Sequence, residues 1–447
     1  MKKVITYGSF DLFHEGHYNL LKRAKELGDY LIVGITTEHY DLSRGKMNIV
    51  DPLLKRVENV NNTGFVDEII IEDHVGQKIE DIERYEIDIF TVGSDWTGVF
   101  DHLKRYCDVV YLERTKGISS TQIRNDKQNI IKLGMIGCGR IAKRFVPEAK
   151  YVSGINVEAI YHPREERAQE FKERFNLLYA TSQFEEFLNQ IDAVYIASPH
   201  ETHYEYTKEA LKRGKHVLCE KPMVFTKCEA EELFALAKEQ NVILLEGIKT
   251  AYAPGFIRLM AIAKSGVIGT IKDVEATFTR LTNTNTREYT DMILGGSFTE
   301  FASYTLLAMV KLLGTEYRDI TFDSFNEENG IDYYTKATLR TATAIGTSKT
   351  GLGVKSEGEL IIAGTKGYIK VRAPWWKTEY FTVCYENMKD NEEYFVKFQG
   401  EGLRYELSTF VSLIGGVNKS GGLVTRGESI ALAGIMEEFL AVRSTNY

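Results

Sequence analysis

Two histidines at i and i+3, His14 and His17, close the run Tyr7-Gly8-Ser9-Phe10-Asp11-Leu12-Phe13-His14-Glu15-Gly16-His17, which sits directly behind the apolar stretch Val4-Ile5-Thr6. Taken alone, His-x-x-His is the spacing of surface residues or of half a metal site. Its setting here is a β-branched run that breaks at Gly8, passes both histidines and enters the helix-like stretch Tyr18 to Leu27. Free N–H groups and the positive dipole end make a helix start a seat for polyphosphate, and two imidazoles can both donate to it. That is phosphate chemistry rather than metal chemistry. A second polar run, Arg114-Thr115-Lys116-Gly117-Ile118-Ser119-Ser120-Thr121, follows another apolar stretch, and its hydroxyls, backbone N–H groups and guanidinium suit phosphates equally well. A third signal, Gly137-Cys138-Gly139-Arg140-Ile141-Ala142, is a G-x-G-x-x-A turn between strand-like and helix-like segments, on which a dinucleotide pyrophosphate can rest.

The elements that must position these groups follow from periodicity. Across the first 126 residues, strands at Tyr30 to Ile35, Val66 to Ile71, Ile87 to Val92 and Val109 to Leu112 alternate with helical stretches such as Leu53 to Asn61. The pattern predicts a parallel, helix-covered sheet whose ligands gather at the carboxyl ends of the strands. Gly8 to His17, Arg44 and Lys46, Gly93-Ser94-Asp95-Trp96 and Arg114 to Thr121 all fall there. The short polar stretch Asn125 to Asn129 then marks a boundary before a new strand, Ile130 to Ile136. The next strand, Ile155 to Tyr161, ends in His162-Pro163-Arg164, where an NAD site places an acidic residue for the ribose hydroxyls. The missing carboxylate and Arg164 tilt the choice toward NADP, unless Arg164 is only an exposed helix-start residue.

Beyond Lys249 to Pro254 the strands lengthen: Ile271 to Arg280, Tyr333 to Ala344, Glu357 to Ile362, Tyr368 to Val371 and Tyr380 to Tyr385. They predict an open, mainly antiparallel sheet with one face on helices, including Leu403 to Ile414 and Glu428 to Val442, and one face for a partner subunit. The expected class is therefore α/β with three domains: 1–126, a Rossmann-like nucleotide-binding domain; 130–249, a dinucleotide-binding Rossmann domain; and 250–447, an α+β domain.

Composition sets the outer limits. With 447 residues, 43% hydrophobic and 26% charged, and only 7 prolines, the chain is globular, with no room for a long disordered tract. A net charge of −8 without any Lys/Arg run longer than two argues against a nucleic-acid surface, so anionic substrates must meet local cations. No 18-residue apolar run occurs and Met-Lys-Lys leads straight into a strand, so neither a membrane span nor a signal peptide is expected and the location expected is cytoplasmic. Cys107, Cys138, Cys219, Cys228 and Cys384, scattered without a C-x-x-C pair, read as reduced thiols.

The paired motifs of the first 126 residues resemble those of the cytidylyltransferases within the nucleotidyltransferase superfamily, most closely the glycerol-3-phosphate enzymes. The resemblance implies attack of a substrate phosphate on the α-phosphate of CTP, with Mg2+ bridging the phosphates and no resident metal site. It implies that His14, His17, Lys46 and Arg114 stabilise the transferring and leaving phosphates. It further implies CTP contacts along Gly8, Ser9, Phe10, Asp11 and Gly16, at Arg44, Asp95 and Trp96, and along Thr115, Ile118, Ser119, Ser120 and Thr121. Asp11 has a structural role as its alternative, and Trp96 a core role. One departure concerns the acceptor. Where glycerol-3-phosphate enzymes place a basic residue before the aromatic-Val-Asp turn, this chain reads Asn61-Asn62-Thr63-Gly64-Phe65-Val66-Asp67, leaving Arg56 in the preceding helix as the nearest basic residue of note. A different small polyol phosphate is the expected acceptor.

Downstream, Ile196-Ala197-Ser198-Pro199-His200-Glu201-Thr202-His203 and Gly214 to Pro222, with Glu220-Lys221-Pro222, resemble the glucose-fructose oxidoreductase and inositol dehydrogenase family. This resemblance implies NAD(P) contacts at Gly137, Gly139, Arg140, Ile141, Arg164, Ser198, Pro199, His200, His203, Glu220 and Lys221, and a cis or sharply turned peptide at Pro222. Glu300 and Tyr304, four apart on one helix face, stand where relatives carry Asp and then His or Tyr. Tyr304 is then the general acid/base, Lys221 lowers its pKa or polarises the carbonyl, and Glu300 is a longer substitute for Asp. Relatives associate through their open sheet, which implies a dimer or tetramer. The combined expectation is a fused enzyme that reduces a sugar or sugar-phosphate carbonyl and makes a CDP-alditol. Its alternatives are reduction of an already CDP-linked sugar, and a second half that only binds dinucleotide or assembles the protein.

Overall fold

The computed structural model describes residues 1–37, 40–41, 51–74, 76–113, 130–416 and 423–445. They form two compact units, one of Met1–Ile130 with Tyr151–Gly154 and one of Ile131–Lys150 with Ile155–Tyr447.

In the first unit, β1 (Lys3–Gly8), β2 (Tyr30–Thr36), β3 (Glu68–Glu72), β4 (Ile89–Gly93) and β5 (Asp108–Leu112) pair in parallel in the order β3-β2-β1-β4-β5. Helices Glu15–Lys25, Leu53–Asn61 and Gln77–Tyr85 connect them. Both faces of the central strands are covered, so they read as unbroken apolar runs: Val4, Ile5, Leu31, Ile32, Val33 and Ile35 are all buried. With β2 on one side of β1 and β4 on the other, the loop after Gly8 opens where the strand order reverses. Open parallel sheets bind their ligands at that point.

The second unit carries two sheets. β6 (Ile131–Ile136), β7 (Ile155–Tyr161), β8 (Tyr179–Thr181), β9 (Ala193–Ile196), β10 (His216–Glu220) and β11 (Leu244–Gly247) are parallel in the order β11-β10-β9-β6-β7-β8. Its switch point lies between β6 and β9, where Gly137 has φ 100° and an added Cβ would stand 2.5 Å from the Ala197 carbonyl oxygen. Only glycine fits there, so the backbone turn stays open for a ligand.

The other sheet contains β12 (Ile271–Thr279), β13 (Asp319–Asn326), β14 (Asp332–Arg340), β15 (Ile345–Gly351), β16 (Leu360–Gly364), β17 (Tyr368–Val371), β18 (Tyr380–Cys384) and β19 (Glu392–Phe395). Their order is β13-β14-β15-β12-β16-β17-β18-β19, antiparallel throughout except for the β12–β15 pair. Helix Ser297–Leu313 packs on β12 and β15. It is apolar over most of its surface, with Phe298, Phe301, Leu306 and Met309 buried. Asp332 anchors its start by accepting from the Ser297 hydroxyl and the Phe298 amide at 2.6 and 2.9 Å.

The strand expected from Tyr333 to Ala344 ends early, at Arg340. Thr341 turns the chain by accepting from the amides of Thr343 and Ala344, and β15 begins at Ile345. β13 and β19, the two sheet edges, were not expected either; their side chains are mostly exposed, and the alternation in β13 is confined to Ile320 and Phe322. Among the described residues no helix is long and apolar enough to cross a membrane.

Candidate functional site

In the first unit His14 is the N-cap of helix Glu15–Lys25, its Nδ1 accepting from the Gly16 amide at 3.0 Å. A neutral ring that accepts at Nδ1 carries its proton on Nε2, which is thereby a fixed donor. His17 stacks on His14 at 3.9 Å between ring centroids and is braced by Phe10 and Phe13 at 5.4 and 5.5 Å. The two imidazoles form one rigid pair at the helix start. The loop before them is held open by left-handed conformations at Phe10 (φ 50°) and Leu12 (φ 47°), the kind of backbone strain that clusters at ligand sites.

Arg56 secures this loop from beneath. It is fully buried, and its guanidinium donates to the carbonyls of Ser9, Thr36 and Asp51 at 2.8 to 2.9 Å. Arg56 is therefore a structural cation, not a replacement for the basic residue missing at the acceptor turn. Asp11, also buried, accepts from the Asp51 amide at 2.8 Å, which supports the structural alternative for it. Gly64 takes φ 74° at the end of its helix, so the turn itself selects glycine. Gly93 ends β4, and Asp95 and Trp96 follow in the turn Ser94–Trp96, where Trp96 is 39% exposed. Arg44, Lys46, Arg114, Thr115, Ile118, Ser119, Ser120 and Thr121 lie outside the described residues.

In the second unit one cavity of roughly 1510 Å³ gathers every residue expected to bind the dinucleotide or react: Gly137, Gly139, Arg140, Ile141, Arg164, Ser198, Pro199, His200, His203, Glu220, Lys221, Glu300 and Tyr304. Helix Arg140–Ala149 starts at Gly139 with no side-chain cap, which leaves its first amides for a pyrophosphate. At the end of β7 no carboxylate faces the cavity; His162, Arg164 and Arg167 line it instead. Glu165, the nearest acid, is committed to the Ser182 amide at 2.6 Å. The donor set fits a dinucleotide, with cations where a ribose phosphate would stand.

Lys221, next to the cis Lys221–Pro222 peptide, donates to the Glu300 carbonyl at 2.8 Å and stands 3.9 Å from its carboxylate. Its Nζ also lies 5.5 Å from the centre of the Tyr304 ring. The expected lowering of the Tyr304 pKa by Lys221 is not what the geometry gives. Burial, then the charges of Glu220, Glu406 and Glu300, hold that hydroxyl well above its ordinary value of 10.0. Tyr304 is thus a neutral phenol, a proton donor rather than a ready base.

The ring nitrogens of His203 lie 2.9 and 3.0 Å from the Pro222 and Ser198 carbonyls, and burial holds its pKa down to about 4, so the neutral ring donates its single N–H to one of the two. It ties the Ser198 loop to the Pro222 turn. His200 meets the Arg287 guanidinium at 3.1 Å, and burial, with Lys221, His203 and Arg287 nearby, pushes its pKa well below 6.5.

Several wall residues were not anticipated. Lys249 sits just past the carboxyl end of β11, and that position was the signal that could have found it. Arg280, Arg287, Lys355 and Trp376 arrive from the antiparallel sheet and its loops, where no sequence motif marks them. Glu406, on helix Leu403–Ile414, is fully buried, and neither carboxylate oxygen has a hydrogen-bond partner among the described residues. Burial and the neighbouring Glu220 push its pKa well above 4.5, against the opposing charge of Lys249.

A linkage effect follows from these acids. Glu406, Glu220 and Glu246 all have raised pKa values in the folded state, chiefly through burial. Above about pH 4.5 the unfolded chain ionises groups that the folded chain keeps protonated, so the folded state binds more protons and stability falls as pH rises. Because the depressed histidines His200 and His203 contribute the opposite slope below about pH 6.5, the test is a difference: in urea unfolding between about pH 5.5 and pH 8, Glu406→Gln is expected to gain stability relative to the parent as pH rises, by up to about 1.4 kcal/mol per pH unit. An unchanged slope in the variant would count against a protonated Glu406.

Comparisons with known proteins follow the two units. Residues 5–126 match the family described as cytidylyltransferase-like. Residues 131–248 match the oxidoreductase family with an NAD-binding Rossmann fold, and residues 256–370 match the GFO/IDH/MocA C-terminal domain. Glycerol-3-phosphate cytidylyltransferase of Bacillus spizizenii is 51% identical over 130 residues, 29% of this chain and 100% of that protein. The scyllo-inositol 2-dehydrogenase (NADP(+)) of Bacillus subtilis is 30% identical over 213 residues, 45% of this chain and 64% of its own length. Among solved structures, a 3-ketoreductase of Actinomadura kijaniata in complex with NADP and TDP-benzene aligns with TM-score 0.59 at 23% identity, over 69% of this chain and 96% of that one. The chain is a fusion that belongs to the cytidylyltransferase-like family through residues 5–126 and to the Gfo/Idh/MocA oxidoreductases through residues 131–248 and 256–370.

Proposed function

We propose that this protein makes a CDP-alditol in two steps: an NAD(P)H-dependent reduction of a ketose or aldose phosphate in the second unit, and a CTP-dependent cytidylylation of the resulting alditol phosphate in the first. The observation that carries the reading is the convergence of Lys221, Glu300 and Tyr304 on the cavity that holds the Gly137 turn. A reduced nicotinamide bound there supplies a hydride to the carbonyl carbon. Tyr304 gives its proton to the carbonyl oxygen, and Lys221 polarises that oxygen while fixed by the Glu300 carbonyl. Water then returns the proton to Tyr304.

In the first unit an acceptor phosphate oxygen attacks the α-phosphorus of CTP, which enters as its Mg2+ complex, and the bond to pyrophosphate breaks. Through their imidazole N–H groups His14 and His17 stabilise the charge that builds on the phosphates. Arg164 and Arg167 favour NADP over NAD, in keeping with the NADP named for the Bacillus dehydrogenase. Exposed Phe325, Tyr368, Tyr380 and Phe395 on the eight-stranded sheet support association of copies.

A second reading is reduction of the sugar after it is linked to CDP, in keeping with the dTDP-sugar named for a 3-reductase of Actinomadura kijaniata that is 36% identical over 154 residues.

The test is turnover by the full chain given NADPH, CTP and Mg2+ with a panel of sugar phosphates and CDP-sugars. Reduction of a sugar phosphate without CTP supports the first reading; reduction of CDP-sugars alone supports the second. In the same panel glycerol-3-phosphate is expected to be a poorer acceptor than a longer polyol phosphate, because Gly64 offers it no charge-assisted contact. Preference for glycerol-3-phosphate over all other acceptors would overturn that expectation.

A further inference from the structure

Away from the dinucleotide turn, the cavity wall is built around the end of β12. Phe278 is stacked between Phe301 and Trp376, with centroids 4.6 and 3.7 Å away and planes within 9° and 6°, and its ring lies 5.1 Å from that of Tyr304. The next residue, Thr279, offers its carbonyl to Lys355 Nζ at 3.1 Å. One residue further, Arg280 lies across Phe301, 5.7 Å from the ring centre. A strand advances by about 3.3 Å per residue, so two cations flank the wall one or two steps beyond the aromatic packed on Tyr304.

The carboxylates at this end are already matched. Glu357 takes Lys349 at 2.6 Å together with the Ser356 and Thr277 hydroxyls, and although burial pushes its pKa up these partners hold it down to about 2. Glu288 faces Arg280 at 3.8 Å. Lys355 meets no carboxylate within 4.0 Å among the described residues, and the Thr279 carbonyl occupies one of its three donors. An ammonium with two donors to spare, beside a cavity and an aromatic wall, calls for an anion.

We propose that Lys355, assisted by Arg280, anchors the phosphate of a phosphorylated sugar whose carbonyl lies at Tyr304 and Lys221, so that reduction acts on the phosphate monoester before any nucleotide is attached. This rests on the reductase reading above and selects between its two forms. The aromatic wall carries the carbon chain, and the cations beyond it take the ester several bonds from the reacting carbon. Lys355 is exposed, and its recorded bond to the buried Thr279 is to the backbone carbonyl, so its substitution leaves the fold in place.

The experiment is steady-state reduction by the full chain with NADPH, using ketose phosphates, the same sugars without phosphate, and CDP-sugars. Lys355→Ala is expected to raise KM for the phosphate ester on the order of 10-fold to 100-fold, with kcat and the KM for NADPH within a few-fold and the unphosphorylated sugar unaffected. Lys355→Arg should recover most of the affinity. An unchanged KM for the ester in Lys355→Ala, equal losses with and without phosphate, or a parent enzyme that prefers CDP-sugars would each overturn the inference while leaving a reductase. A parent that reduces no carbonyl compound at all would instead sink the reductase reading, and this inference with it.

Discussion

Alanine in place of His17 is expected to slow pyrophosphate release from CTP on the order of 100-fold or more, while NADPH-dependent reduction continues at the parental rate. The imidazole stacks at 3.9 Å on His14, and in the proposed function its N–H stabilises the transferring phosphate, so its removal would take away that donor and the brace of its partner. His14→Ala should lose as much, and in addition cost about 1 kcal/mol of stability because the Gly16 amide loses its cap. Coupled pyrophosphate detection, run beside NADPH oxidation on the same preparation, reads both activities. Transferase rates within a few-fold of the parent would remove these histidines from the chemistry.

The second large effect belongs to the other unit. Tyr304→Phe deletes only the phenol oxygen and is expected to lower carbonyl reduction on the order of 100-fold to 10,000-fold. Lys221→Ala should do at least as much, since it removes the cation held at 2.8 Å by the Glu300 carbonyl. In both variants CDP-alditol should still form from preformed alditol phosphate and CTP, but no longer from the carbonyl precursor. The yield from each starting material is the measurement. Loss from both would reveal coupling between the units, and undiminished yield from the carbonyl precursor would show that the cavity does not perform the reduction.

Much of this arrangement was legible in residue order, and the reason lies in parallel sheets. Their central strands are buried on both faces and their ligands gather at one edge, so Val4 to Gly8 followed by two histidines, or Ile131 to Gly137 followed by Gly139, announces strand, site and helix within a dozen or so residues. The antiparallel sheet gives no such announcement. The short, polar-flanked hairpin at Thr341 hid a strand boundary, and edge strands such as β13 bury too little to show a period. Arg280, Lys355 and Trp376 reach the cavity through tertiary packing alone, from segments tens of residues away from Lys221 and Tyr304. The protonation state of Tyr304 was likewise out of reach, because it is set first by burial and then by Glu220 and Glu406 from two other elements.

The burial of Arg56 bears on how such an enzyme can change over evolutionary time. Its guanidinium joins the loop after β1, the end of β2 and the residue ahead of its own helix. A lineage drifting toward a new acceptor cannot recruit this cation without loosening the loop ahead of His14 and His17, which the proposed function gives to the nucleotide. The turn at Gly64 is under no such constraint, since among the described residues no atom other than those of its chain neighbours stands within 4 Å of the position a side chain would occupy, although its left-handed backbone taxes any residue other than glycine. If the proposed acceptor meets the first unit at this turn, its specificity is free to diversify there while the loop held by Arg56 stays fixed.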